Sequence, residues 1–355
     1  MKVSVCMIVR NEEELLGRAL SSTLGLADEI VIVDTGSIDD TVKIAKEFGA
    51  TVIEGGDRRH KAKSRNQAAE ASSGDWTVVL DADEVIADPV SVRAFLEETT
   101  AQAIYVVETF MVGSEVTLSF AQMRMWRRGT YSYRFRAHEV PVPTDGWGEI
   151  VTTQFVWEHR PPASRLGKRE NMLLTLLMDV EENPDEPRPL YYLAREYMYL
   201  GAWQACIDTT RLFLEKATMA DHEVAEAYGN LATCYSELGE PNKTHEWLHR
   251  AMAVQPESRA WPGRIAEFYH SEKQHDRAAC YAKLALVLPR QTTGYVDERW
   301  YGSYIYDLLA RCLYYGDHVE EGLPFAQKAL ELAPGNERLK ANLAFFNKDS
   351  KDAVA

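Results

Sequence analysis

Paired cysteines, long apolar runs and a basic excess are all missing from this 355-residue chain. Its five cysteines, Cys6, Cys206, Cys234, Cys280 and Cys312, stand singly, and no Cys-x-x-Cys pair occurs. That usage argues against a disulfide framework or a thiolate zinc site and fits a reducing compartment. No stretch approaches the roughly 20 apolar residues that cross a bilayer. The run Val3–Val9 is too short for a signal peptide core, and Arg10-Asn11-Glu12 follows it at once. A cytoplasmic protein is expected. The net charge is −15, with 17 basic against 25 acidic residues in 1–160 and 22 against 29 in the rest. A nonspecific nucleic-acid binder shows the opposite balance, and an anionic membrane is a poor partner.

What remains is the composition of an ordinary globular protein, 46% apolar and 26% charged, long enough for two domains. The first half alternates strands and helices: Val3–Val9, Glu12–Leu24, Ile30–Asp34, a helix through Phe48, Thr51–Ile53, Lys63–Ala71 and Trp76–Leu80. That alternation predicts a Rossmann-like, mostly parallel sheet. Beyond about residue 100, Ile104–Met111, Met123–Trp126 and Phe155–Trp157 read as strands without helices between them, a mixed extension of that sheet. Pro161-Pro162 interrupts the chain, and from Leu166 the apolar period is 3.6. Helical pairs recur with closing Gly201, Gly239, Pro256, Pro289 and Pro334. A spacing near 34 predicts tetratricopeptide-like helix pairs stacked into a solenoid. The fold expected is α/β plus all-α: a catalytic-type domain at 1–160, a junction helix at 161–187, repeats at 188–347 and a disordered tail at 348–355.

The most telling segment is Trp76-Thr77-Val78-Val79-Leu80-Asp81-Ala82-Asp83-Glu84. On an extended chain Asp81 and Asp83 point the same way and present hard oxygen donors to a divalent cation. Strand ends in open α/β sheets are where ligands bind. Upstream, Val9, Arg10, Asn11 and Glu12 close the first strand at a helix start, a position that favours anions. Asp34 and Gly36 close the second; that carboxylate can take a base or ribose donor, or cap the following turn. Arg65 opens a helix from which it can reach a diphosphate.

Taken in order, these pieces resemble the family 2 glycosyltransferases of GT-A fold. The resemblance continues through Met123–Gly129, His138-Glu139, Glu158-His159 and Lys168–Asn171, then into the repeats. It is similar to the subgroup with a C-terminal tetratricopeptide domain, which includes bacterial enzymes that glycosylate peptides on Cys, Ser or Thr. One departure is His60-Lys61, where relatives are often more apolar. The resemblance implies an inverting transfer from a nucleotide-diphosphate sugar, with UDP-sugar as the leading donor. It implies Asp34 on the base or ribose, Arg65 near the diphosphate, and Asp83 on Mn²⁺ or Mg²⁺. Asp81 would touch the ribose or the metal through water, with Ala82 between them, and His159 would be a metal ligand or a core histidine.

An acceptor needs a base on the far side of the metal. His138-Glu139 is the leading pair, with Glu139 as base; Asp145 and Glu149 are the alternatives. Arg124, Arg127, Arg128, Arg134 and Arg136 fall within 13 residues, interleaved with aromatics. They suit a diphosphate clamp, an anionic acceptor, sugar stacking or single-stranded nucleic acid. Arg127 and, at the domain junction, Lys168 join the donor contacts. The expected acceptor is a protein, a peptide or another hydroxyl or thiol compound, with self-association through the repeats also open. The rival readings are transfer to modified nucleic acid and a non-catalytic repeat adaptor with a degenerate first domain.

Overall fold

The computed structural model describes residues 1–113, 115–162, 172–217, 221–291 and 296–352. The chain divides into two compact units, Met1–Tyr192 and Leu193–Ala355.

In the first unit the strands are β1 (Val3–Val9), β2 (Glu29–Asp34), β3 (Thr51–Glu54), β4 (Trp76–Val79), β5 (Glu84–Ile86), β6 (Ala103–Val112), β7 (Glu115–Arg127), β8 (Tyr131–Arg134), β9 (Val140–Pro143) and β10 (Ile150–His159). Its main sheet runs β3-β2-β1-β4-β7-β6-β10-β5. The first four of these are parallel: β1 pairs with β2 and β4, and β2 with β3. β7 is antiparallel to both β4 and β6, and β6 is parallel to β10. The Rossmann-like half with a mixed extension therefore stands. Because β1, β4, β6 and β10 share a direction, their carboxyl ends lie along one edge of the sheet. β8 and β9 form a separate antiparallel hairpin.

The helices of this unit are α1 (Leu16–Ser21), α2 (Thr41–Glu47), α3 (Lys61–Ala71), α4 (Pro89–Glu98), α5 (Leu173–Glu182) and the start of α6 (Pro187–Tyr199). α1 is shorter than the Glu12–Leu24 read from apolar spacing. The hydroxyls of Ser21, Ser22 and Thr23 donate to the carbonyls of Gly17, Ala19 and Leu20, which competes with helix propagation. Trp76, Trp126 and Trp157 are fully buried, and β1 is closed to solvent from Val3 to Met7.

The second unit is built of α7 (Trp203–Lys216), α8 (Asp221–Glu237), α9 (Pro241–Val254), α10 (Ala260–Ser271), α11 (His275–Val287), α12 (Ser303–Tyr315), α13 (Val319–Leu332) and α14 (Glu337–Asp352). Successive helices pack into pairs, the tetratricopeptide-like arrangement that the period predicts. α14 continues through Asp352, into the stretch from 348 expected as a disordered tail. Apolar stripes meet around Trp261 and Trp300, both fully buried. No described helix is long and apolar enough to cross a membrane.

Close helix approach explains one glycine. A Cβ placed on Gly263 would stand 2.3 Å from the Trp300 ring. Gly263→Ala must therefore displace a buried tryptophan, and overpacking of this kind costs about 1–3 kcal/mol. Urea unfolding of the full chain should show that loss in the transition of the repeat unit. An unchanged midpoint would mean that Trp300 is free to move aside.

Candidate active site

A cleft of ≈ 710 Å³ opens where β1 and β4 end. One wall is the turn after β4. The strand stops at Val79, and the amide of Glu84 donates to the Asp81 carbonyl at 3.0 Å, so Asp81-Ala82-Asp83 lie in a turn. Both carboxylates line the cleft, but the expected extended geometry is absent and their partners differ.

Asp81 accepts from Arg65 Nη2 at 2.8 Å and lies 3.5 Å from Arg124 Nη1. Burial pushes its pKa up, yet Arg65 and Arg124 outweigh this and hold it well below the usual carboxylate range. Arg124 is buried and also pairs with Glu84 and, at 2.7 Å, with Glu108. Asp83 faces His159 Nε2 at 2.9 Å, and its carbonyl accepts from the amide of Arg160 at 2.8 Å. Burial disfavours the imidazolium of His159, but the Asp83 contact prevails and raises its pKa. His159 Nδ1 is buried without a partner, and Phe110 packs edge-on against the ring at 4.2 Å.

The opposite wall is cationic. Arg10, Arg58, Lys61 and Arg65 line it, and α3 begins there at Lys61, whose own amide donates to the Arg136 carbonyl at 3.1 Å. The His60 side chain caps that start by accepting from the Lys63 amide. Arg10 belongs to the strand end read as favouring anions, whereas Arg58 and Lys61 are additional cations of the site. The signal available was Arg58, Arg59 and Lys61 just ahead of a helix start.

Val9, Glu12 and Thr35 form the floor toward β1 and β2. Asp34, expected on the nucleoside, is 4% exposed and works as a turn cap. Its Oδ2 accepts from the amides of Gly36 and Ser37 at 3.0 and 2.9 Å, with Gly36 at φ 101. Asn11, at φ 52, likewise ties this turn, since its Oδ1 accepts from the Ile38 amide at 2.9 Å. Asp34, Gly36 and Asn11 therefore shape the site from behind, while Val9 and Glu12 face it.

The expected pair His138-Glu139 is split. His138 turns away and stacks on Tyr192 at 3.9 Å. The side chain of Glu139 is 8% exposed and accepts from Arg65 Nε at 2.7 Å. Glu149 bonds Thr100 Oγ1 at 3.0 Å beside the start of β10, the opposite sheet edge from His159, and exposed Asp145 belongs to the same loop. Both alternatives for the base are thus misplaced. Arg127 is also far from the cleft. Its guanidinium covers the Trp76 ring at 4.2 Å and donates to the Thr99 carbonyl at 2.7 Å, at the amino end of β4. Lys168 lies outside the described residues. Of the other arginines, Arg134 pairs with Glu186 at the surface, Arg136 pairs with Glu182, and Arg128 is exposed, so three of the five meet carboxylates.

Residues 4–152 match the family model described as glycosyl transferase family 2. The chain carries a family 2 glycosyltransferase domain, and it is an enzyme domain of that family. A TPR repeat-containing protein of Synechococcus elongatus is 26% identical over 307 residues, 72% of this chain and 76% of that protein. An uncharacterized glycosyltransferase of Rickettsia typhi is 39% identical over 83 residues, 23% of this chain and only 28% of the relative. The lipopolysaccharide core biosynthesis glycosyltransferase LpsC of Rhizobium meliloti is 28% identical over 233 residues, covering 58% of this chain and 83% of LpsC. The glycosyltransferase domain is followed by tetratricopeptide-like repeats.

The depressed pKa of Asp81 has a stability consequence. A carboxylate ionised more readily when folded stabilises the fold fully above its unfolded pKa of about 4 and loses that contribution as pH falls. Asp81→Asn should therefore flatten the wild-type decline in stability between about pH 4 and pH 2. Urea unfolding across that range checks this; parallel curves for the two proteins would contradict it.

Proposed function

We propose that the first unit transfers a sugar, with inversion, from a nucleotide-diphosphate sugar to a hydroxyl or thiol acceptor, in a cytoplasmic setting. The observation that carries this is the juxtaposition across one cleft of Asp83 and His159 with Arg10, Arg58 and Lys61. A diphosphate between those walls meets the cationic side chains of Arg10, Arg58 and Lys61 on one side. UDP-sugar is the leading donor. Val9, Glu12 and Thr35 would border its nucleoside, with Asp34 holding the turn behind them.

Mn²⁺ or Mg²⁺ fits the other wall. Among the described residues no group of three His, Cys, Asp or Glu converges on one point, so the protein offers a partial shell. Such ions accept one or two protein ligands and complete their shell with phosphate oxygens and water. Asp83 and His159 would hold it, with Asp81 committed to the two arginines. Bound there, the ion would offset the charge that develops on the leaving diphosphate.

Arg65 lines the donor side of the cleft, and Glu139 stands behind it as the proposed base for a hydroxyl acceptor. His138 then has no proton-transfer role. The acceptor is proposed to be a protein, a peptide or another hydroxyl or thiol compound, and the similarity to LpsC adds saccharide hydroxyls to that class. The repeat unit would present the acceptor or join two copies of the chain. A nucleic-acid acceptor is disfavoured, because Arg124, Arg134 and Arg136 are spent on internal carboxylates.

A panel of nucleotide sugars with Mn²⁺, read by sugar transfer, tests the proposal. Asp83→Ala should abolish transfer while the fold survives. Normal transfer by that variant in the presence of a chelator would sink the metal assignment. Glu139→Gln should leave donor affinity nearly unchanged and slow transfer to a hydroxyl by about 10²–10⁴-fold, the usual contribution of a general base. A thiol acceptor, partly ionised already, should show a smaller loss. Equal transfer by Glu139→Gln and the native protein to a hydroxyl would remove Glu139 from that role.

A further inference from the structure

The segment Phe135–Glu139 connects β8 to β9 and carries Glu139 at its end. It is held in an unfavourable backbone form. Phe135 has φ 73 and His138 φ 51, in the left-handed region, although neither is glycine. Such conformations persist only where the surroundings over-determine them.

The surroundings here come from α5 and α6, with one bond from the start of α3, whose Lys61 amide donates to the Arg136 carbonyl at 3.1 Å. Asp179 on α5 is 1% exposed. Its Oδ1 accepts from the Arg136 amide at 2.7 Å, and its Oδ2 accepts from the amides of Arg136 and Ala137 at 2.9 and 3.0 Å. Two successive N–H groups turned to one carboxylate make a small anion nest. One turn further along α5, Glu182 accepts from Arg136 Nε and Nη2 at 2.8 and 2.5 Å. On α6, Arg188 Nε donates to the His138 carbonyl at 3.2 Å, and Tyr192 covers the His138 ring. The segment ends with Glu139 against Arg65.

We propose that Asp179 is a positioning residue for transfer: by occupying the nest of Arg136 and Ala137 it fixes the strained segment so that Glu139 meets Arg65. The proposal rests on the reading of Glu139 as base. It makes α5 part of the catalytic machinery although no α5 residue lines the cleft. It also gives His138 a purpose, as the ring by which α6 grips the same segment.

Asp179→Asn is the test, because it replaces one accepting oxygen with an NH₂ that meets a backbone N–H. Hydrogen bonds to a charged group are among the stronger ones, so amide exchange in residues 135–139 should accelerate about 10–100-fold. Transfer kcat should fall by about 10–100-fold, a part of what a general base supplies. Donor affinity should stay within about twofold, since Asp81 holds Arg65 from the other side at 2.8 Å. Asp179→Glu, which keeps the carboxylate, should recover much of both losses. If Asp179→Asn does not fold, Tyr192→Leu loosens the same segment through His138 and should show a smaller version of the pattern.

Faster exchange with unchanged kcat would overturn the proposal, as would unchanged exchange in a variant that transfers slowly. Loss of donor affinity in step with kcat would also overturn it. A native protein that neither binds nor transfers any nucleotide sugar would instead defeat the function itself, and the exchange measurement would still decide whether Asp179 holds the segment.

Discussion

Arg65 is the point on which the site turns. It rises from the first turns of α3, is 8% exposed, and is gripped by Asp81 at 2.8 Å and Glu139 at 2.7 Å. Those carboxylates come from the turn after β4 and from the segment after β8, so one guanidinium ties a helix, a strand end and a loop together. Its planar fork suits two carboxylates at once, which a lysine would not match. Burying such a group is costly unless every charge is met, and removing one partner leaves the others uncompensated. Arg124 repeats the scheme one layer deeper with Glu84 and Glu108. The carboxylates of the strand end are therefore fixed before any ligand arrives, and Asp83 and the cations of the other wall are left facing the cleft.

Much of this was legible in the sequence. The alternation of buried strands with helices announced the parallel half of the sheet, and the 34-residue spacing announced the repeats. Asp81, Asp83, Arg65 and His159 come together in one cleft as their motifs suggest. The signals that failed were those in which charge was read without its partner. Five arginines in 13 residues look like a basic patch until Glu182, Glu186, Glu84 and Glu108, distant in sequence, are brought beside three of them. Glu149 stands just ahead of the first residue of β10, and nine residues of strand separate it from His159. α4 starts at Asp88-Pro89, a start signal in the sequence, with the Asp88 side chain accepting from the Ser91 amide.

The two faces of the chain's charge also fall into place. The acidic total is spread over the surface and over internal pairs, whereas the donor-facing wall of one cleft collects Arg10, Arg58 and Lys61. A local cationic wall in an acidic protein selects a compact anion over a long polyanion, because the surrounding field opposes the latter. The described residues that line this cleft all belong to the first unit, and the repeat unit has its own cores around Trp261 and Trp300.

The central claim is that a nucleoside diphosphate and a divalent ion occupy this cleft together. A crystal of the full chain grown with UDP and Mn²⁺, with data collected at the manganese absorption edge, tests it most directly. The account predicts one anomalous peak within bonding distance of an Asp83 oxygen, with the diphosphate between that peak and Arg58, Lys61 and the start of α3. A diphosphate seated elsewhere, or manganese bound in this cleft without Asp83, would contradict it.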